Sequence, residues 1–294
     1  MTVLVLARER DASADRLVRA LQRRDSEVFR ADLRWFPSEL SVAARLVRGR
    51  WDGVLTTRHR AVRLDAVRAV WCRDPGSFGF ASELSVGRRA QAFDQARLGL
   101  GGLLACLADT GVLWANDPDR ARDADYPPRQ LAVAAYCGLV VPRTLVTNDP
   151  LSVHDFARSG ERGVRGRSFG RSLDYTGNLD ELADVALTAH LFSERVETDH
   201  IIRVIMVAGR LFPVALRPGR RFDPMVLPVD VGAALRRYQA RLALPYLVVD
   251  LAATTAGQHV FLRSTTGARY GRLESATDIP VTESIAELLT DTVR

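Results

Sequence analysis

The sequence predicts an α/β protein that turns to α+β in its C-terminal half. Three observations carry that expectation: the first hundred or so residues alternate short apolar runs with an amphipathic helix, the segment from residue 190 onward reads as successive strands, and a turn-rich stretch, NDPDRARDADYPP, lies between them.

The elements follow in order. Residues 2 to 7 form an apolar first strand, and the helix after it, with Leu17, Val18 and Leu21 on one face, has Ser13 placed to cap it. Short apolar runs near Val28, near Val54 and at AVRAVWC continue the α/β pattern. GRRAQAFDQARLGLGGLLACLAD reads as one long helix with Phe93, Ala96, Leu100, Leu103, Leu104 and Leu107 along one stripe, where Gly99, Gly101 and Gly102 would let a neighbour pack closely. A first boundary falls near Asn116. A helix from Pro128 to Cys137, ended by Gly138, leads into the extended LVVPRTLVT. ARSGERGVRGRSFGRSLDYTGN reads as a mobile loop between strands. Its composition suits a phosphate-covering loop or an exposed hairpin, and favours the hairpin. Strands near LFSERV, IIRVIMVAG and RLFPVAL precede a helix with Val231, Leu235, Tyr238 and Leu242 on one face, then a hairpin, then a last helix that turns Ile285, Leu288 and Leu289 inward. There are no internal repeats.

A chain of 294 residues, 47% hydrophobic and 26% charged, is long enough for a folded core and two or three subdomains. Its apolar runs are interrupted well short of a membrane span, and the N-terminus lacks the apolar stretch and cleavage site of a secretory signal. Cys72, Cys106 and Cys137 are widely spaced and form no metal-ligand pattern with the five histidines, so structural zinc and a disulfide framework are not expected and a reducing cytoplasm is. All 41 basic residues are arginine. Lysine Schiff bases and a phosphate-binding lysine are therefore excluded. The net charge of +6 suggests an acidic partner, yet the arginines are scattered without the clustering and interleaved aromatics of a nucleic-acid face. Neither nucleic acid nor membrane is an expected partner.

The chemistry concentrates in VVDLAATTAGQHVFLRSTTG, residues 248 to 267. Two β-rich arms flank the turn-like TTAGQ, and Asp250 is a lone carboxylate in an apolar strand. A metal site would require a second carboxylate or an amide on the facing arm, which instead offers Arg263, Ser264 and Thr265. Either Asp250 pairs with Arg263 across the hairpin, or the hairpin is what remains of a metal site.

Several blocks, in order, resemble one family. ADRLVRALQRRDSEVFRADLRWFPSEL, AVWCRDPGSFGF, WANDPDRARDADY, QLAVAAYCGLVVPRTLVTNDP and LPYLVVDLA look like those of the ATP-grasp maturases of ribosomally made peptides, the microviridin or graspetide type related to RimK-like ligases. The resemblance implies an ATP-grasp fold with a Rossmann-like pre-ATP-grasp domain at 1–116, a central subdomain at 117–192 and a C-terminal subdomain at 193–294. It also implies ATP and magnesium as cofactors, and a reaction that phosphorylates a precursor-peptide carboxylate before a hydroxyl or amine closes an ester or amide ring.

Residue by residue the match is incomplete. Pro127 and Pro128 stand where a phosphate-binding lysine is expected, and Arg165 is the nearest match to a second lysine. Glu194 and Arg203 match the hinge block, with Ser193 in place of a usual glutamine. Asp223 matches an expected aspartate, but Met225 replaces the arginine that should follow. Asp250 matches the first magnesium carboxylate, while Arg263 and Thr265 replace the Glu and Asn of the second arm. The resemblance thus implies Arg203 and Asp223 as catalytic residues, Arg165, Glu194 and Arg203 as nucleotide contacts, and Asp250 as metal ligand. Simpler readings stand beside these: Arg203 paired with Glu194, Arg165, Arg167 and Arg171 as solvated charge, and Trp71 and Arg73 as core. The expectation is a degenerate ligase that binds an acidic precursor peptide or an active ATP-grasp paralogue, as a homo- or hetero-oligomer. The rival is an active ligase.

Overall fold

The structure, a computed structural model, describes all residues except 1, 74–75, 169–170, 176 and 292–294. Its N-terminal part runs β1 (Thr2–Ala7), α1 (Ala12–Gln22), β2 (Glu27–Ala31), β3 (Leu40–Val47), β4 (Arg50–Thr57), β5 (Ala61–Arg63), β6 (Val67–Arg73), α2 (Val86–Ala96), α3 (Gly102–Ala105) and β7 (Leu113–Ala115). β1, β2, β6 and β7 form a parallel sheet in the order β2-β1-β6-β7. β1 is buried along its whole length, as a central parallel strand must be: Val3, Val5 and Ala7 face one layer with α1, and Leu4 and Leu6 face another with α3 and the β3-β4-β5 sheet.

Two local expectations are corrected here. The cap of α1 is Asp11, whose Oδ1 accepts the backbone N–H groups of Ser13 and Ala14, while Ser13 lies inside the helix. A carboxylate there complements the helix N-terminus better than a hydroxyl. The long helix is interrupted by a π-helical turn at Arg97–Gly101, and the space beside Gly99 and Gly102 is open rather than filled by a neighbour. Their flexibility serves the irregular turn. Gly102→Ala, with nothing within 4 Å of the added carbon, is therefore expected to raise stability, by about 0.5–1 kcal/mol in urea denaturation.

The chain continues through α4 (Pro118–Ala124), α5 (Pro127–Tyr136), β8 (Thr144–Thr147), α6 (Pro150–Arg158), β9 (Val164–Ser168), β10 (Arg171–Tyr175) and β11 (His190–Glu194). Pro127 and Pro128 occupy the first turn of α5, where a missing N–H costs nothing, and Gly138 at φ +89° follows its last turn. β9 and β10 are the hairpin that the Gly/Arg/Ser composition favoured, within the sheet β10-β9-β11-β8 whose core packs under α6. β11 runs across the 192/193 division, and α5 packs on α7 and β16 of the C-terminal part.

That part comprises β12 (Thr198–Val207), β13 (Arg210–Arg217), β14 (Arg221–Pro224), α7 (Val229–Leu242), β15 (Tyr246–Thr254), β16 (His259–Thr265), α8 (Gly271–Thr277) and α9 (Val281–Asp291). Its antiparallel sheet has the order β14-β13-β12-β15-β16. Alternation divides β12 between two cores: Ile202, Val204 and Met206 face α5 and α7, and Ile205 and Val207 face the N-terminal layer, where Ile285 and Leu289 of α9 lie beside Leu17 and Leu21 of α1. Among the described residues no helix is long and apolar enough to cross a membrane.

Candidate functional site

The hairpin of β15 and β16 carries the site. Register sets Asp250 opposite Arg203 on β12 and opposite Arg263 on β16, so all three side chains leave one face of the sheet. That face continues from Tyr246 and Val248 of the N-terminal core layer. Two buried clamps hold the strands. Asn116 exchanges hydrogen bonds with the backbone of Tyr246 and donates to the Thr266 carbonyl, and Gln130 exchanges hydrogen bonds with the backbone of Ser264. Tyr238 Oη meets Ser264 Oγ at 2.8 Å from behind. Sequence reasoning missed Asn116 as a clamp and Gln130 altogether. A polar side chain within a predicted turn or helix leaves no periodic signal until its strand partner is placed beside it.

Asp250 is closed by guanidinium groups on both oxygens. Arg203 forks onto it, Nε to Oδ1 at 2.8 Å and Nη2 to Oδ2 at 2.9 Å, and Arg263 Nε donates to Oδ2 at 2.9 Å. The Asp250 side chain is 8% exposed, against 28% for Arg203 and 58% for Arg263. Burial pushes its carboxyl up, but the hydrogen bonds and charges of Arg203 and then Arg263 outweigh burial and hold it below the usual carboxylate range. The same bond holds the Arg203 guanidinium above its ordinary value. Of the two readings of Arg203, pairing with Glu194 is thereby corrected: the antiparallel register to β15 gives it Asp250 instead.

The other sequence-derived candidates lie elsewhere. Glu194 Oε1 accepts the backbone N–H of Arg162 at 3.1 Å and closes the turn after α6. It lines a cleft of about 180 Å³ together with Pro142, Arg143, Thr254 and Gln258. Arg165 sits on β9 opposite Ser193, in the central sheet. Asp223 falls in the row of Ala215, Ile202 and Leu251, one residue out of step with the Arg203 row, so it projects from the other face and pairs with Arg217 and Arg221. The side chains of Arg167 and Arg171 lie outside the described parts of the chain.

The donor set does not fit magnesium. Among the described residues no group of three or more His, Cys, Asp or Glu side chains is suited to a metal ion. A divalent ion about 5 Å from one guanidinium would be repelled by roughly 6 to 7 kcal/mol at an effective dielectric of about 20, and Asp250 stands between two. Binding a cation there would also require Asp250 to surrender hydrogen bonds that keep a buried charge satisfied.

Comparison with known proteins agrees with the architecture. A family model, the MvdD pre-ATP grasp domain, matches residues 2–119. Among solved structures, the macrocyclase MdnC of Microcystis aeruginosa MRC, bound with precursor peptide MdnA, is 24% identical with a TM-score of 0.87, covering 99% of this chain and 100% of its own. The macrocyclase MdnB of the same organism is 25% identical with a TM-score of 0.87, covering 98% of this chain and 99% of its own. A RiPP-associated ATP-grasp ligase of Chryseobacterium gregarium, in complex with ADP and a leader and core peptide, has a TM-score of 0.90 at 19% identity, covering 99% of this chain and 96% of its own. No curated protein matches. The chain has the ATP-grasp fold. Residues 2–119 are similar to the MvdD pre-ATP-grasp domain, and the resemblance to the graspetide-type maturases is borne out.

Proposed function

We propose that this protein is a degenerate ATP-grasp ligase of graspetide-type peptide maturation, which binds a precursor peptide or a partner maturase and does not run magnesium-dependent phosphoryl transfer. The observation that carries this reading is the closure of Asp250 by Arg203 and Arg263. Proline at 127 and the absence of lysine from the whole chain support it, because a triphosphate is left with fewer cationic contacts. Relatives of the same fold were captured with precursor peptides and with ADP, which supports peptide binding as the retained property. The division into 1–116, 117–192 and 193–294 and a cytoplasmic site of action belong to the same reading, with α5 lending its apolar face to the third part.

Calorimetric titration with ATP, with and without magnesium, tests it. The expected result is no magnesium-dependent heat up to millimolar ATP. Micromolar, magnesium-dependent binding, worth about −8 kcal/mol, would instead identify a working ligase. The restoration Arg263→Glu with Thr265→Asn and Pro127→Lys is expected to create magnesium-dependent ATP hydrolysis that the parent lacks. A parent that hydrolyses ATP, with turnover abolished by the same changes, would refute the proposal.

A further inference from the structure

We infer that the free edge of β3 is a homodimer interface, where β3 of a second copy of this chain adds antiparallel about Ala44 and joins the two small sheets into one. The inference is independent of whether the protein turns over ATP.

Strand order supplies the first observation. In the sheet β3-β4-β5, β3 lies at the edge and pairs with β4 alone among the described residues, from Leu40 opposite Thr57 to Val47 opposite Arg50. The connection is the two-residue turn Arg48–Gly49, with φ of +50° and +77°, as in a type I′ hairpin. In such a hairpin the residues flanking the turn bond each other. Alternation then sends the N–H and C=O groups of Val47, Arg45 and Ala43 to β4, and those of Leu46, Ala44 and Val42 to the free edge. The strand, LSVAARLV, has no proline, no bulge and a single charge, and so lacks most of the devices that keep edge strands from pairing. That charge, Arg45, is already met by Asp52 on β4 at 3.5 Å.

The side chains point to what covers the edge. On the core-facing side of the hairpin, Leu40 and Leu55 are buried and Val42 packs against them, but the row continues through Ala44 and Gly53 to Leu46 and Trp51. These two overhang the core, 60% and 42% exposed. Antiparallel addition about Ala44 sets Leu46 opposite Val42 of the second copy, beside that copy's own core, so each tip gains cover that its own chain does not supply. A lone peptide strand brings no core with it. A folded second copy does.

The same register matches charge at both ends. It places Glu39 opposite Gly49 of the second copy, between Arg48 and Arg50, and it faces each Arg45 with Ala43 rather than with another arginine. Glu39, Arg48 and Arg50 are exposed, and none is in an ion pair among the described residues. Two-fold symmetry makes both contacts twice. About six backbone hydrogen bonds link the strands, with Leu46 and Trp51 as the apolar anchors of each tip.

Sedimentation equilibrium of the full chain tests the inference, with a dimer expected at micromolar concentration. Ala44→Pro removes an N–H from the free edge and none from the β4 ladder, and is expected to weaken self-association at least about tenfold with circular dichroism unchanged. Two surface variants test the register itself. Glu39→Arg, and separately Arg48→Glu with Arg50→Glu, are each expected to weaken self-association about tenfold, because like charges then meet at both ends. An equimolar mixture of the two is expected to restore the parent's affinity, which a merely misfolded variant could not do. A parent that stays monomeric up to millimolar concentration overturns the inference, as does a dimer that neither Ala44→Pro nor the charge swaps weaken. A monomeric parent that pairs through this edge with a precursor peptide or another maturase also overturns it, and leaves the proposed function standing.

Discussion

Asp250→Ala is expected to lower the unfolding free energy by about 3 kcal/mol, because it leaves the Arg203 guanidinium partly buried and unpaired beside Arg263. The value lies at the low end for a broken buried pair: Arg203 retains 28% exposure, and Arg263, at 58%, contributes little in solvent. Urea denaturation at neutral pH measures it. Arg203→Met with Asp250→Leu is expected to recover most of the loss, since an apolar pair replaces the ionic one without stranding a charge. The pH dependence has a definite sign. The folded-state value of Asp250 lies below 3.8, so its contribution is complete above that value and lost as pH falls through the lower one. Asp250→Asn should therefore flatten the acid limb of the stability curve. A limb of unchanged slope, or a cost of Asp250→Ala below about 1 kcal/mol, would mean that the cluster is solvated and that Asp250 remains available to a cation.

Asp11→Ala is the second large effect, at about 3–5 kcal/mol. Asp11 caps α1 through Ser13 and Ala14, and it also neutralises Arg73, whose side chain is 2% exposed. Among the described residues Arg73 Nε has no hydrogen-bond partner, so removing Asp11 strands a guanidinium already short of acceptors. Asp11→Asn separates the two roles: an amide still caps the helix, so the part of the loss it reproduces belongs to the ion pair. Equal stability of Asp11→Ala and the parent in urea would show that the pair contributes nothing.

The two variants mark how far the sequence was legible. α1, α7, α9 and the hairpin could be read from the periodicity of Leu17 and Leu21, of Leu235, Tyr238 and Leu242, of Ile285 and Leu289, and of the arms around TTAGQ, because each pattern is local. Asp250 was legible for a related reason: a lone carboxylate in an apolar strand must find a partner. Its principal partner was not. Arg203 lies 47 residues away, and only the pairing of β12 with β15 brings it opposite Asp250 rather than near Glu194. Asp223 was placed with the catalytic residues by its motif, yet a one-residue step in register sends it to the opposite face. The cap of α1 was misassigned by two residues, since Asp11 gains part of its advantage from Arg73, which is 62 residues downstream.

By itself, then, the sequence determined the principal strands and helices, though not α4, α6 or α8, the all-arginine basic chemistry and the presence of Arg263 and Thr265 on the arm facing Asp250. These depend on residue type and on spacing within one element. Tertiary structure alone decided that Asp250 is closed from two sides and that β3 lies at a sheet edge with Leu46 and Trp51 beyond the core. The physical reason is that charge pairing and edge exposure depend on distance in space, and register and strand order set that distance across dozens of residues of chain.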